Sequence, residues 1–326
     1  MSKTSISCAA LAAAFSLALA GTVPAQTFPT RAITVVVPFP PGGVTDPVAR
    51  YVGAKVSQNI GQQVLVENKP GAAGIIGAEV VKRASPDGYT LFMGHAGTHA
   101  INSSLYSQLP YDPVKDFSPI TNMVQTTQIL VVHADSPAKT PADLVAMSKS
   151  RPNGVTYASQ GIGAGGHLLG EMFRALSGGG KFQHVPYKGS APAVQDLLSN
   201  RVDLFFDAPI TSGPYVKAGK FHALAMASEK RHPLFPNVPT MAEMGYPGVV
   251  CDIWFALYGP AQMPQPVVRK LNEEFVKVLR HPDTIKQFSD QGLDVVWSTP
   301  EELAALGAAD TARLGKVVRD AGIKAD

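Results

Sequence analysis

The stretch Ile33-Thr34-Val35-Val36-Val37-Pro38-Phe39-Pro40-Pro41-Gly42-Gly43-Val44-Thr45-Asp46-Pro47 reads as a strand, a stiffened exit and a helix start. Its first part is a nearly continuous apolar, β-branched run, the pattern of a parallel strand covered on both faces. Prolines stiffen the exit, and Gly42 and Gly43 let the backbone turn sharply and approach another group closely. Thr45 or Asp46 is expected to cap the helix, with Pro47 near its first position. The N–H groups of such a helix start are unpaired donors at the positive end of the helix dipole. The turn therefore suits an anion, and it equally suits its own capping side chain.

Working outward, the same alternation recurs along the chain. Strand-like runs lie at residues 33–39, 64–67, 89–93, 129–133, 155–159, 184–187, 202–206 and 222–227. Helix-like stretches lie at 142–150, 192–200, 267–280 and 301–306. Thr140-Pro141-Ala142-Asp143 and Thr299-Pro300-Glu301-Glu302 each offer a cap hydroxyl, a proline and a carboxylate in the first turn. Strand–loop–helix alternation predicts an α/β fold with a mainly parallel sheet and helices on both faces. Two long extended runs, 117–133 and 249–260, predict two crossings between domains. Residues 26–128 with 251–326 then form domain 1 and residues 129–250 form domain 2, hinged at the paired crossings.

Composition bounds the function. A chain of 326 residues suits two domains, and 28 Lys+Arg against 25 Asp+Glu leaves a charge of only +3. No broad field points to nucleic acid or an anionic membrane. Lys3, the apolar run at 9–20 and Val23-Pro24-Ala25 have the layout of a secretory signal cleaved near Ala25, so residues 1–25 are expected to be removed. Loss of Cys8 leaves Cys251 alone, without a partner for an internal disulfide. No later segment reaches the length of a membrane span, so the exported protein is not expected to be membrane-embedded.

Three further Gly-bearing loops follow predicted strands: Lys69-Pro70-Gly71-Ala72-Ala73-Gly74, Ser159-Gln160-Gly161-Ile162-Gly163-Ala164-Gly165-Gly166-His167 and Tyr187-Lys188-Gly189-Ser190. Open α/β sheets bind ligands beyond the carboxyl ends of their strands. Four such loops, two on each predicted domain, point to backbone donors converging on one cleft. Gly161, Gly163 and Gly166 fit G-x-G-x-x-G, but the acidic residue that would hold a ribose about 20 positions later is missing. There is no P-loop, no G-x-S-x-G and no H-E-x-x-H. His95 and His99 have metal-like spacing without a carboxylate between them, and fit neutral hydrogen-bonding side chains at a pocket rim better. No metal, cofactor or catalytic residue is expected. A hydrolase using Ser159 or Cys251 is the rival reading, for which no base or orienting acid can be assigned. Asp207, at a strand end, either accepts backbone N–H groups or fixes waters and a ligand donor.

The segment from Pro38 to Asp46, Ser85-Pro86-Asp87-Gly88-Tyr89-Thr90-Leu91, Tyr111-Asp112-Pro113 with Lys115-Asp116-Phe117, His184-Val185-Pro186-Tyr187-Lys188-Gly189 and Val238-Pro239-Thr240 together resemble the periplasmic substrate-binding proteins of tripartite tricarboxylate transporters, the Bug family. The resemblance runs through essentially the whole mature chain. It implies a two-lobed periplasmic-binding-protein fold of type II, a clamshell that closes on a small organic carboxylate and delivers it to membrane transporter subunits. In such a protein Phe39, Gly43, Thr45 and Asp46, with Ala73 nearby, would form the first-lobe grip. Ser159, Gly161, Gly163 and His167 would form the second, Asp207 would help order the site, and His95, Thr98 and Tyr187 would meet the rest of the ligand. A periplasmic location is implied, a closing cleft is compatible with a monomer, and a binder that serves a receptor kinase is the alternative to one that serves a permease.

Overall fold

The strand that opens the sequence argument is β1 (Ile33–Val37), four of whose five residues are buried. In this computed structural model residues 28–320 and 322–325 are described, so the expected signal segment 1–25 and Cys8 lie outside the described residues. After β1 come α1 (Thr45–Ile60), β2 (Val64–Asn68), a tight turn at Ala72–Gly74 and α2 (Ile75–Lys82). There follow β3 (Thr90–His95), a wide turn at Gly97–Ile101, the short α3 (Asn102–Leu105), β4 (Phe117–Thr126) and β5 (Ile129–His133). Next are α4 (Pro141–Ser150), β6 (Val155–Ser159), α5 (Gly165–Leu176), β7 (Phe182–Pro186), α6 (Ser190–Leu198), β8 (Leu204–Asp207), α7 (Pro209–Lys217) and β9 (Phe221–Met226). The chain ends through β10 (Ile253–Pro260), α8 (Gln265–Leu279), α9 (Pro282–Ser289), β11 (Asp294–Val295) and α10 (Pro300–Asp320).

These strands build two sheets, ordered β11-β4-β10-β3-β1-β2 and β7-β6-β8-β5-β9. In the first, β1 runs parallel to β2 and β3, with Val35 level with Val66 and Leu91. In the second, β6 runs parallel to β7 and β8. Both sheets are mixed, however, where the sequence predicted mainly parallel ones. β10 is antiparallel to β3 and β4, and β5 is antiparallel to β8 and β9. The physical reason is connectivity: β5 and β10 are each delivered from the opposite sheet, and a strand entering that way runs against the βαβ units already there. Such a two-sheet exchange leaves a cleft where the parallel strands of both sheets end.

Helices cover the sheets as their apolar spacing requires. In the second sheet Ala193, Val194 and Leu197 of α6 pack with Ile129, Val131 and Phe205 in one core cluster, each fully buried large side chain contributing ~1.5–3 kcal/mol. The capping boxes form as expected: Thr140 Oγ1 accepts from the Asp143 N–H, and the Thr140 N–H donates to the Asp143 carboxylate at 2.8 Å. Thr299 and Glu302 exchange the equivalent bonds. α10 runs on to Asp320, well past residue 306. Leu303, Leu314 and Val318 keep one buried face through its glycines, and Trp254 Nε1 donates to Asp310 Oδ2 at 2.8 Å.

Candidate ligand-binding cleft

α1 begins at Thr45 with Val44 in the cap position and no capping side chain, so neither Thr45 nor Asp46 caps it as expected. Gly42 has φ of +97°, which the sharp turn before the helix requires. The Asp46 carboxylate faces back along its helix, accepting from Arg50 Nε at 3.0 and 3.1 Å and from Asn68 Nδ2 at 2.9 Å. Asn68 also donates to the Phe39 carbonyl at 2.9 Å. Asp46 therefore fixes the turn from behind, and its side chain does not reach the cleft.

Three other helices start at the same place. α5 begins behind Ala164, α6 behind Gly189 and α7 behind Ala208, all without a side-chain cap. Gly43, Val44 and Thr45 from the first sheet's side meet Ala164, Gly165, Ser190 and Ala208 from the second around a cleft of about 520 Å³, the open solvent at its mouth included. The first N–H groups of a helix have no intrahelical acceptor. Among the described residues no backbone acceptor pairs with the N–H groups of Thr45, Gly165 or Ser190. Phe39, Ile253 and Phe255 give the cleft apolar walls, and among the described residues no lysine, arginine, aspartate or glutamate lines it. Positive helix ends without a competing cation or carboxylate suit it to a small anion.

His95 also lines this cleft and is 4% exposed. Its Nδ1 accepts from the Gly97 N–H at 2.9 Å, so the proton of the neutral ring sits on Nε2. Burial pushes its pKa down to about 4, which keeps the ring neutral at ordinary pH. Among the described residues Nε2 has no hydrogen-bond partner. The ring is held by Phe39, with centroids 5.0 Å apart.

Asp207 lies behind the wall with no exposed surface. It accepts from Ser190 Oγ at 2.8 Å, Gln160 Nε2 at 3.1 Å, Ser212 Oγ at 2.6 Å and the Thr211 hydroxyl. Burial raises its pKa, and those four donors oppose the rise. Two of the donors, Ser190 and Gln160, are cleft residues, so the carboxylate orients the wall without entering the cleft.

Of the residues singled out from sequence, Phe39, Gly43, Thr45 and His95 line the main cleft. Ala73, Gly161 and Tyr187 line an adjoining cavity of about 600 Å³ that shares Phe39, Pro40 and Gln160 with it. Ala72 and Ala73 hold φ of +45° and +53° there, a strained conformation for residues with a Cβ. Tyr187 donates its hydroxyl to Asp196 at 2.8 Å. Asp46, Thr98, Ser159, Gly163, His167 and Asp207 line neither cavity. The Thr98 hydroxyl is occupied by the backbone of His95, accepting from its N–H at 3.1 Å and donating to its carbonyl at 3.0 Å. The expected donors Gly161 and Gly163 turn their N–H groups onto Ser159 Oγ and His167 Nδ1. The glycine loop thus satisfies its own N–H groups, and those without a backbone acceptor come one step later, where α5 starts. Gln128, Gln160, Ser190, Ile253 and Phe255 were missed as cleft residues. Gln160 and Ser190 sit within loops already noted, and the bulk of 254–258 was the available signal for β10.

The rival hydrolase finds a partner that the sequence did not assign, since Ser159 Oγ lies 2.6 Å from His184 Nε2. Yet Ser159 has no exposed surface. His184 is stacked on His167 and Tyr157, and among the described residues no carboxylate hydrogen-bonds to it. Burial pushes the Cys251 thiol up to about 12, far from a thiolate. Among the described residues no group of three or more His, Cys, Asp or Glu could hold a metal ion, and no helix is long and apolar enough to cross a membrane.

Two mixed α/β sheets exchanging strands, with uncapped helix ends facing a shared cleft, define a two-lobed binding protein of the periplasmic type II class. Residues 48–323 match the family described as tripartite tricarboxylate transporter family receptor, and the chain belongs to that family. It is similar to periplasmic binding protein BugD, with 35% identity, a TM-score of 0.86 and coverage of 91% of this chain and 99% of that one. It is similar to Rhodopseudomonas palustris Rpa4515 with adipate, at 35% identity and a TM-score of 0.87, covering 91% of this chain and 99% of that one. MatC from Rhodopseudomonas palustris, with bound malate, is 34% identical with a TM-score of 0.85, covering 89% and 100%.

Proposed function

We propose that this chain is an exported receptor that closes on a small organic carboxylate and delivers it to a tripartite tricarboxylate-type membrane transporter. One observation carries the reading: helix amino ends from both sheets face one cleft that contains no fixed charge of its own. A carboxylate placed there would be held by neutral donors whose strength rises as closure expels water. Arginine forks would bind more tightly and oppose release. The relatives that hold adipate and malate support the same class of cargo.

In this reading residues 26–128 with 251–326 form one lobe and 129–250 the other. The crossings between β4 and β5 and between β9 and β10 form the hinge. The signal segment is cleaved near Ala25, and the receptor works as a monomer, binding and releasing without making or breaking a bond. A thermal-shift screen against a few dozen organic acids tests it. At a concentration 100 times its Kd a true ligand adds ~2.7 kcal/mol of stability, a clear rise in Tm. Alcohols and amines of matching size are expected to give none. A panel in which no acid moves the Tm would refute the proposal.

A further inference from the structure

Two cavities adjoin in this protein, and from the residues between them we infer that Gln160 is the specificity-determining residue for cargo length. It closes one end of the main cleft and restricts the cargo to short acids. The inference rests on the carboxylate reading above and adds the size of the molecule that the cleft admits.

Phe39, Pro40 and Gln160 line both the main cleft and the adjoining cavity, so they stand between the two. Phe39 and Pro40 reach the divide from the loop after β1, and Gln160 reaches it from the loop after β6. The Phe39 side is fixed, since its ring packs against His95 and its carbonyl accepts from Asn68. Pro40 is met by the loop before α6, where a Cβ on Gly189 would lie 3.5 Å from Pro40 Cδ.

Gln160 is held by more bonds than either. Its Nε2 donates to the Phe206 carbonyl at 3.0 Å and to Asp207 Oδ1 at 3.1 Å, with Gln128 Oε1 a third acceptor at 3.4 Å. Its Oε1 accepts from the Gly166 N–H at 3.1 Å, and a Cβ on Gly166 would sit 2.6 Å from that oxygen. A side-chain amide has two hydrogens to give and one oxygen to accept, and here both functions are in use. Swinging this side chain aside for a longer molecule would take a donor from the fully buried Asp207 and the acceptor from the Gly166 N–H. Buried polar groups left unpaired are costly, so the wall stays in place. Behind it the adjoining cavity has a lining that, among the described residues, is uncharged apart from Lys188. That space suits an apolar chain, and Gln160 separates it from the cleft.

Titration calorimetry at pH 7 with straight-chain mono- and dicarboxylic acids of four, six, eight and ten carbons tests the inference. In the wild-type protein affinity is expected to peak at four or six carbons and to fall about tenfold or more at the next length. In Gln160→Ala the ratio of long-acid to short-acid affinity is expected to rise about tenfold, even where every affinity drops. Pro40→Ala trims the opposite side of the divide and leaves the hydrogen bonds of Asp207 in place, and it should raise the same ratio. A merely structural role for Gln160 would weaken all lengths by one factor. That result in a folded Gln160→Ala overturns the inference, and so does a wild-type protein that binds a ten-carbon acid as tightly as its best short one. Where Gln160→Ala does not fold, an unchanged length profile in Pro40→Ala overturns it. If no acid of the series binds, the inference falls; the carboxylate reading falls with it only when the wider acid screen is also silent.

Discussion

At the scale of single residues, Asp46 and Asp207 look alike in the sequence, each a carboxylate just beyond a strand near a helix start. The fold separates them through their partners, of which Asn68, Ser190 and Gln160 lie far along the chain and Arg50, Thr211 and Ser212 close by. Asn68 and Arg50 claim Asp46, whereas Ser190, Gln160, Thr211 and Ser212 converge on Asp207. The distant donors Ser190 and Gln160 leave no local pattern, and this is why the role of Asp207 was legible only as a pair of alternatives. Its structural duty yields a prediction. Asp207→Ala strands several buried donors and is expected to lower stability by ~2–4 kcal/mol. Asp207→Asn keeps the shape but offers fewer acceptor sites, so its loss should be about half as large. Denaturant unfolding of the three proteins gives the comparison, and ligand affinity should fall in both variants because Ser190 and Gln160 lose their anchor. An Asp207→Ala midpoint equal to wild-type would remove Asp207 from this account.

At the scale of elements, strands were the easiest to read, because β-branched runs bounded by Gly and Pro have little other use. The runs at 129–133 and 155–159 coincide with β5 and β6. Helix ends were harder. A hydroxyl or carboxylate before a helix predicts a cap, which holds at α4 and α10 and fails at α1, where the expected capping residues fall inside the first turn. The failure is informative, since a capped helix would have used the very N–H groups that the cleft exposes. Mixed pairing in the sheets was not legible, because strand direction depends on which sheet a crossing strand joins. The start of α5 lies against β10: a Cβ on Gly165 would sit 2.7 Å from Ile253 Cγ1. The added methyl forces Ile253 to shift, so Gly165→Ala is expected to lower the stability of the ligand-free protein by ~1–3 kcal/mol. It should also weaken ligand binding about tenfold, since both residues line the cleft and the methyl displaces its wall. Adding Ile253→Val, which shortens the opposing side chain, should recover part of that loss. Calorimetry on the single and double variants decides the point: additive effects would mean that the two residues do not meet in the bound state.

At the scale of the whole molecule, both lobes keep neutral histidines in buried places. In the first, burial holds His95 near about 4 and His99 near about 3, with His95 pushing His99 further down. In the second, burial and the neighbouring His167 bring His184 to about 4. An unfolded histidine titrates near the ordinary value of 6.5. Between that value and about 4 the unfolded chain therefore binds protons that the folded chain refuses, so acid favours unfolding. The histidine contribution is complete above pH 6.5 and is lost as the pH falls toward 4. For His95 alone the full shift corresponds to ~3 kcal/mol. Thermal unfolding followed from pH 8 to pH 4 should show a flat Tm above pH 7 and a steep fall below 6.5. His99 stacks on Tyr258 with centroids 3.8 Å apart and leaves Nε2 unpartnered. His99→Phe should preserve that packing and flatten part of the slope, with little change at pH 8. A Tm that stays level down to pH 4, or a slope that His99→Phe leaves untouched, would mean that these rings accept protons inside the fold, and the neutral-donor state of His95 would have to be abandoned with them.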